Sequence, residues 1–380
     1  MFYFTSKQSP RTHQITLEEL IFDKPVVEYS NDPTATRTYA MERIPNRLNS
    51  ITPNVLQLRN ELAEFNKKYK ELSERNRKSL YSEFHIPKRS GGLRTIDAPH
   101  EELKEALYEL KTILEWNMNF TTYHTAAFAY MKGRSTIKCV KKHQQNESKW
   151  FLKLDLSNFF GSTTIDFLMK MFLMQYPFCL LYRMRDGEEQ LRTALELAFL
   201  NGGLPQGTPL SPLVTNIMMI PIDHRISNEL RNFDDKHLVY TRYADDFIIS
   251  SRVDFDFRKV EEFVKQTLAE FSAPFTVNEK KTRYGSSSGR NFNLGIMLNK
   301  DNEMTIGRQA KREFEGMLQN YAACKLSNKP WDRQDVQVLA GKISYYKMVE
   351  RETIEKIIDH FSQKMGVKIT DAIACDLKVV

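Results

Sequence analysis

Cysteine is scarce and unpaired in pattern. Cys139, Cys179, Cys324 and Cys375 are scattered, with no CxxC and no Cys/His spacing of the zinc-binding kind. That excludes a zinc module or a disulfide scaffold and predicts buried or idle thiols. No apolar run approaches the length of a membrane span. The opening MFYFTSKQSPRTHQ lacks the basic-then-apolar order of a signal peptide, so a cytoplasmic protein is expected. Repeats and low-complexity linkers are missing as well. Neither sign of charge dominates, since 55 Lys and Arg face 48 Asp and Glu for a net charge of +7. A membrane-spanning protein and a disordered one are set aside by these absences together with the globular composition.

What is present is a globular composition, 41% hydrophobic and 27% charged, over 380 residues. One core rarely serves that length, so two or three subdomains are expected. The basic residues are unevenly spread. Residues 132–143 carry five Lys or Arg and no acid, and residues 280–312 carry eight against Asp301 and Glu303. Aromatics lie near both stretches. A nucleic-acid contact and an ordinary solvated face are both compatible with this pattern.

Periodicity predicts a mixed α+β chain. Thr16 and Glu19 form a capping-box pattern, and residues 53–84 read as helix. Ser90-Gly91-Gly92 marks a turn between two extended stretches, and Leu103, Leu107, Leu110 and Leu114 give residues 100–118 a helical stripe. Phe151 to Asp155 read as a strand ending in a turn. Residues 164–175 and 189–200 look helical, as does 214–226 despite Pro221. Residues 237–251 read as two strands about a tight turn, 257–271 as helix, 291–307 as a second hairpin with Lys300-Asp301-Asn302 at its tip, and 308–364 as mostly helix.

The tight turn carries Asp245 and Asp246 between apolar strands. Adjacent carboxylates resist joint ionisation, and a divalent cation relieves them. As an isolated dipeptide, Asp-Asp is also a common turn. Asp155 ends a strand and offers a third carboxylate, which makes a two-metal site for phosphoryl transfer conceivable but does not by itself select it.

Seven blocks, in order, give the chain a more specific likeness. They are HIPKRSGGLRTIDAP (85–99), AFAYMKGRSTIKCVKKH (127–143), FLKLDLSNFFGS (151–162), GGLPQGTPLSPLVTN (202–216), YTRYADDFIIS (240–250), VNEKKTR (277–283) and NLGIMLNKDNEMTIGR (293–308). The chain resembles the prokaryotic reverse transcriptases, the group II intron and retron branch, over roughly three-fifths of its length. The resemblance implies a right-hand polymerase fold. It places an N-terminal extension at 1–84, fingers at 85–150, a palm at 151–307 and a helical thumb at 308–380.

It also implies roles. Asp155, Asp245 and Asp246, with the carbonyl of Leu156, would hold two Mg²⁺ ions, with manganese as an alternative. Lys88 and Arg94 would clamp the incoming dNTP. Phe160 would exclude a ribose 2′-hydroxyl, and Gln206 and Gly207 would shape the nucleotide pocket. Lys281, or less so Lys280, would serve the leaving pyrophosphate. The basic stretches would meet an RNA template and a DNA primer or product, with no membrane partner.

Two retron hallmark blocks are reduced to His143 and Gly295, and no nuclease or RNase H module follows. The likeness then falls on stand-alone reverse transcriptases of antiphage defence, which act with a dedicated non-coding RNA. A retron- or maturase-type protein that binds structured RNA, and a template-independent or protein-primed terminal transferase, are the alternatives.

Overall fold

The computed structural model describes residues 2–4, 13–15, 55–87, 91–118, 123–235, 237–288, 294–327, 329 and 331–378. In chain order the strands are β1 (Phe2–Phe4), β2 (His13–Ile15), β3 (Tyr81–Pro87), β4 (Leu93–Pro99), β5 (Trp150–Asp155), β6 (Val239–Tyr243), β7 (Asp246–Ser251), β8 (Arg283–Ser286), β9 (Met297–Leu298) and β10 (Met304–Thr305). The main helices are α1 (55–68), α2 (Glu101–Asn117), α3 (Thr136–Gln145), α4 (Ile165–Leu173), α5 (Gly187–Glu196), α6 (Ser211–Met218), α7 (Ile220–Arg231), α8 (Phe257–Glu270), α9 (Gly307–Leu326), α10 (Arg333–Met365) and α11 (Ile369–Lys378). The class is α+β, as expected.

Two compact units form, each from separated stretches of chain. The first comprises Met1–Tyr130, Leu156–Ile226 and Glu262–Val277, and the second Met131–Asp155, Ser227–Glu261 and Asn278–Val380.

In the first unit, α1 buries Val55, Leu58, Leu62 and Phe65, and α2 buries Leu103, Leu107, Leu110 and Leu114. These spacings place one apolar stripe on each helix. Asn117 donates to Glu61, and Tyr69 donates to Glu109, which joins the two helices along their polar edges. β3 and β4 pair antiparallel, from Tyr81 opposite Pro99 to Pro87 opposite Leu93.

The expected helix over 53–84 therefore ends early. Its last turn is Lys70–Glu74, Asn76 caps a short 3₁₀ turn by accepting from the Lys78 amide, and Tyr81–Phe84 belongs to β3. A ladder with a distant partner overrides the local preference of a Leu-, Glu- and Lys-rich segment. The helix expected around Pro221 is two pieces, α6 and α7. Pro221 stands in the first turn of α7, where a missing amide hydrogen costs nothing. The capping box at Thr16 and Glu19 lies outside the described residues.

The second unit is built on a four-stranded antiparallel sheet ordered β6-β7-β5-β8. β7 lies between β6 and β5, and Phe247, Ile248 and Ile249 are all fully buried. Three consecutive apolar residues mean both faces of that strand are covered. Phe151 of β5 shares a core with Val140 of α3 and with Phe314, Leu318, Leu339, Ile354 and Ile358 of the C-terminal helices. β9 and β10 form the second predicted hairpin, with Asn302 left-handed at its tip. α10 bends at Glu350 (φ −145°, ψ 70°), whose carboxylate accepts from the Ile306 amide at 3.0 Å and pairs with Lys311 at 2.7 Å. Among the described residues, no helix is long and apolar enough to cross a membrane. Cys139 and Cys179 are buried and Cys375 is exposed, all as free thiols.

Candidate active site

All three carboxylates predicted to act together lie in the second unit. Strand register brings them there, because Asp155 at the end of β5 stands directly opposite Asp246 at the start of β7, and Tyr243 stands opposite Asp246 on its other side. Side chains opposite one another share a face of the sheet. The first row on that face is Asp155, Asp246 and Tyr243. Behind it come Lys153, Ile248 and Thr241, then Phe151, Ser250 and Val239.

Ala244 and Asp245 make the turn. Ala244 is left-handed at φ 56°, which costs an alanine roughly 1–2 kcal/mol. Its carbonyl accepts from Arg242 Nη1 at 3.2 Å, and Arg242 is only 1% exposed.

Two lysines hold two of the acids. Lys281 Nζ is 3.0 Å from both oxygens of Asp155, and Lys153 Nζ is 3.0 Å from Asp246 Oδ1. Lys281 sits on a 3₁₀ turn that follows Asn278, whose amide donates to the Asp155 carbonyl at 2.7 Å. Of Lys280 and Lys281, it is Lys281 that reaches the Asp155 carboxylate. Burial pushes Asp245 up to about 6, with the neighbouring charge of Asp246 adding to it. Asp246 is also raised, again chiefly by burial, while Lys153 pulls it back.

Among the described residues, no three His, Cys, Asp or Glu side chains converge closely enough to enclose an ion by themselves. The donors instead fit a hard cation that takes one or two carboxylates and completes its shell from water and phosphate, as magnesium does. The Leu156 carbonyl is also compatible. In the bridge between Leu156 and Val277 the ladder bonds run through neighbouring residues, from Ser157 N to Thr276 O and from Asn278 N to Asp155 O, so this bridge leaves that carbonyl unused.

The residues expected at the nucleotide lie in the first unit, except Lys88, which is outside the described residues. Phe159 packs in the core against Phe275 at 5.0 Å, whereas Phe160 remains half-buried. Of the two rings, Phe160 is the one not committed to the core. Its carbonyl accepts from the Leu204 amide at 3.0 Å, which ties the turn after Asp155 to the loop Leu204–Ser211.

That loop is braced internally. Ser211 Oγ donates to the Pro205 carbonyl at 2.9 Å, and the Ser211 and Thr208 hydroxyls are 2.6 Å apart. The Gln206 carbonyl accepts from the Asp97 amide of β4 at 2.8 Å. Gly207 has φ 121°, and a Cβ there would lie 2.9 Å from the Asp97 carbonyl oxygen. The close approach that this glycine permits is therefore to β4. Arg94 is exposed on β4, opposite Ile86.

Three further residues belong to this picture. Lys153 has the same strand parity as Asp155 in an otherwise apolar run, and that isolated charge was the available signal. Arg242 is likewise a lone cation beside the turn. His143, known from the sequence only as a hallmark remnant, is fully buried on α3.

The reverse transcriptase (RNA-dependent DNA polymerase) family matches residues 86–314. Similar proteins include the retron Ec73 reverse transcriptase of Escherichia coli, 28% identical over 289 residues, covering 74% of this chain and 86% of that one. The retron Ec83 reverse transcriptase of the same species is 29% identical over 286 residues, covering 73% and 85%. Both are retron enzymes, although this chain retains only His143 and Gly295 of the two hallmark blocks. A solved apo telomerase from Candida tropicalis aligns at TM-score 0.40 with 14% identity, covering 75% of this chain and 61% of that one. With the family matched from β3 into α9, this chain belongs to the reverse transcriptases and is an RNA-directed DNA polymerase.

Proposed function

We propose that the chain extends a primer 3′-hydroxyl with dNTPs at Asp155, Asp245 and Asp246, using two Mg²⁺ ions, and copies a dedicated structured non-coding RNA in the cytoplasm as part of antiphage defence. The observation that carries the site is the β5–β7 register, which sets Asp155 opposite Asp246 with Asp245 in the adjoining turn. Ions bound there would acidify the attacking hydroxyl and stabilise the departing pyrophosphate. The three aspartates and the Leu156 carbonyl would supply the protein oxygens.

Lys281 suits a mobile role. Its side chain is 61% exposed, against 29% for Lys153, so it can exchange Asp155 for a phosphate oxygen and carry a proton to the leaving group. Lys88 and Arg94 would grip the triphosphate, Arg94 bidentately. Phe160, half-buried, would reject a 2′-hydroxyl by contact, and Gln206 and Gly207 would line the pocket from the braced loop.

Residues 132–143 and 280–312 would track template and primer phosphates, a salt-sensitive interaction. On this reading residues 85–150 are fingers, 151–307 palm, 308–380 thumb, and 1–84 an added segment. The retron reverse transcriptases among the relatives support copying of RNA into DNA, and the structured template is part of the proposal. The defence role rests on the likeness to stand-alone bacterial reverse transcriptases.

The test is to purify the protein, sequence the nucleic acid that accompanies it, and sequence the DNA it makes with Mg²⁺. Templated DNA from one co-purifying RNA is expected, abolished in Asp245→Asn with Asp246→Asn. Non-templated product, or activity in the double variant, overturns the reading.

A further inference from the structure

His143 is fully buried, yet it is a polar side chain on a helix whose other buried residues are Cys139 and Val140. Ser135 caps that helix by accepting from the Lys138 amide, and Cys139 and His143, four residues apart, face the sheet. The imidazole reaches both strands of the carboxylate hairpin. Nε2 lies 2.7 Å from Thr241 Oγ1 on β6, and Nδ1 lies 2.6 Å from Ser250 Oγ on β7. Cys139 Sγ donates to the same threonine hydroxyl, and Ser148 Oγ lies 2.7 Å from that of Ser250. Thr241 occupies the row immediately behind the carboxylates, and Ser250 the next.

A neutral imidazole has one donor and one acceptor, and a hydroxyl can play either part, so both hydrogen bonds can be satisfied at once. Apolar packing would fill this space equally well, but it is non-directional. Two short hydrogen bonds oppose sliding of β6 along β7, and a one-residue slip there would turn Thr241 and Tyr243 away from the face that carries Asp246 and rebuild the turn that carries Asp245.

We propose that His143 is a positioning residue for polymerisation, clamping β6 to β7 from α3 and so setting where Asp245 and Asp246 stand relative to Asp155. The proposal rests on the site reading given above.

The experiment compares wild type with His143→Gln and with a triple variant, His143→Leu, Thr241→Val and Ser250→Ala. The triple variant removes all three polar groups together, so none of the three is left without its partner; Ser148 keeps the Asn146 amide, and the weakly polar Cys139 thiol loses its acceptor. Thermal unfolding, Mn²⁺ binding by electron paramagnetic resonance, and single-nucleotide incorporation on a primed template are measured. The expected triple variant unfolds near the wild-type temperature but binds Mn²⁺ more weakly, and its kcat falls about tenfold or more. Its dNTP KM stays within about twofold. His143→Gln, whose amide can both donate and accept, is expected to recover most of the lost kcat.

A folded triple variant with wild-type kcat and wild-type Mn²⁺ affinity overturns the proposal. Should the triple variant not fold, His143→Asn decides in its place, because its shorter amide cannot reach both hydroxyls. A lowered kcat at unchanged KM supports the clamp, and wild-type kcat refutes it. Asp245→Asn is run in parallel. Activity in that variant would overturn the site reading instead, so the two failures are distinguishable.

Discussion

Three glycines in the loop that follows α5 should respond to alanine in a fixed order, because each is required for a different reason. At Gly202 the backbone is left-handed (φ 81°), but no atom lies within 4 Å of an added Cβ. Alanine there costs about 1–2 kcal/mol of conformational strain, partly offset by about 0.4–1 kcal/mol from a less free unfolded chain. At Gly203 an added Cβ would fall 2.1 Å from the Gly161 carbonyl oxygen, and backbone cannot rotate away. Overpacking of that kind costs typically about 1–3 kcal/mol. Gly207 combines both effects, with φ 121° and contacts of 2.9 Å to the Asp97 carbonyl oxygen and 2.8 Å to Ile96 Cγ2. Its sum is about 2–6 kcal/mol, from strain and overpacking together. Urea unfolding of the three single variants measures the order directly, with the denaturant slope checked for a changed unfolded state. Gly207→Ala should unfold at the lowest urea concentration and Gly202→Ala close to wild type. If Gly207→Ala is no less stable than Gly202→Ala, the loop does not rest on β4 as described.

Lys153→Met should destabilise the protein by about 1–3 kcal/mol in EDTA, because Asp246 is left partly buried without its cation. Added divalent ion should recover much of that loss, and equal unfolding temperatures with and without the ion would refute the pairing. Phe160→Ala should lower discrimination against ribonucleotides by at least about tenfold in competition assays. Unchanged discrimination would assign the ring to packing alone. Burial, with the nearby charge of Lys142, depresses His143 to about 3 from an ordinary value of 6.5. Below about pH 6.5 the unfolded chain binds a proton that the folded chain refuses. Stability should then fall as pH drops from 6.5 towards 3, by at most about 1.4 kcal/mol per pH unit, with no contribution above neutrality. Urea midpoints at neutral and mildly acidic pH should therefore converge in His143→Gln relative to wild type, and an identical pH trend would argue against a buried neutral ring.

The legibility of the site in the sequence followed the range of the interactions involved. Asp245 and Asp246 stood out because apolar strands flank them locally, and Asp155 because a strand-like run ends on it. The hairpin at Lys300-Asp301-Asn302 and the stripe of α2 are likewise local patterns. What escaped is non-local. The opposition of Asp155 and Asp246 makes Lys153 a neighbour of Asp246, and no spacing within FLKLD announces that. Tyr81–Phe84 looked helical because its pairing with β4 is written in residues further along the chain. Gly207 was legible as a point of close approach, but the approaching group is the backbone of Asp97, which only the fold identifies. His143 is the sharpest instance. Its sequence neighbours are lysines, which suggest a solvated basic face, and helical periodicity alone would not separate it from them. Thr241 and Ser250, on strands formed by residues far along the chain, are what make a buried imidazole affordable there, and they lie directly behind the carboxylates. A buried polar side chain whose partners all sit on the catalytic strands is thus better understood from those strands than from its own helix.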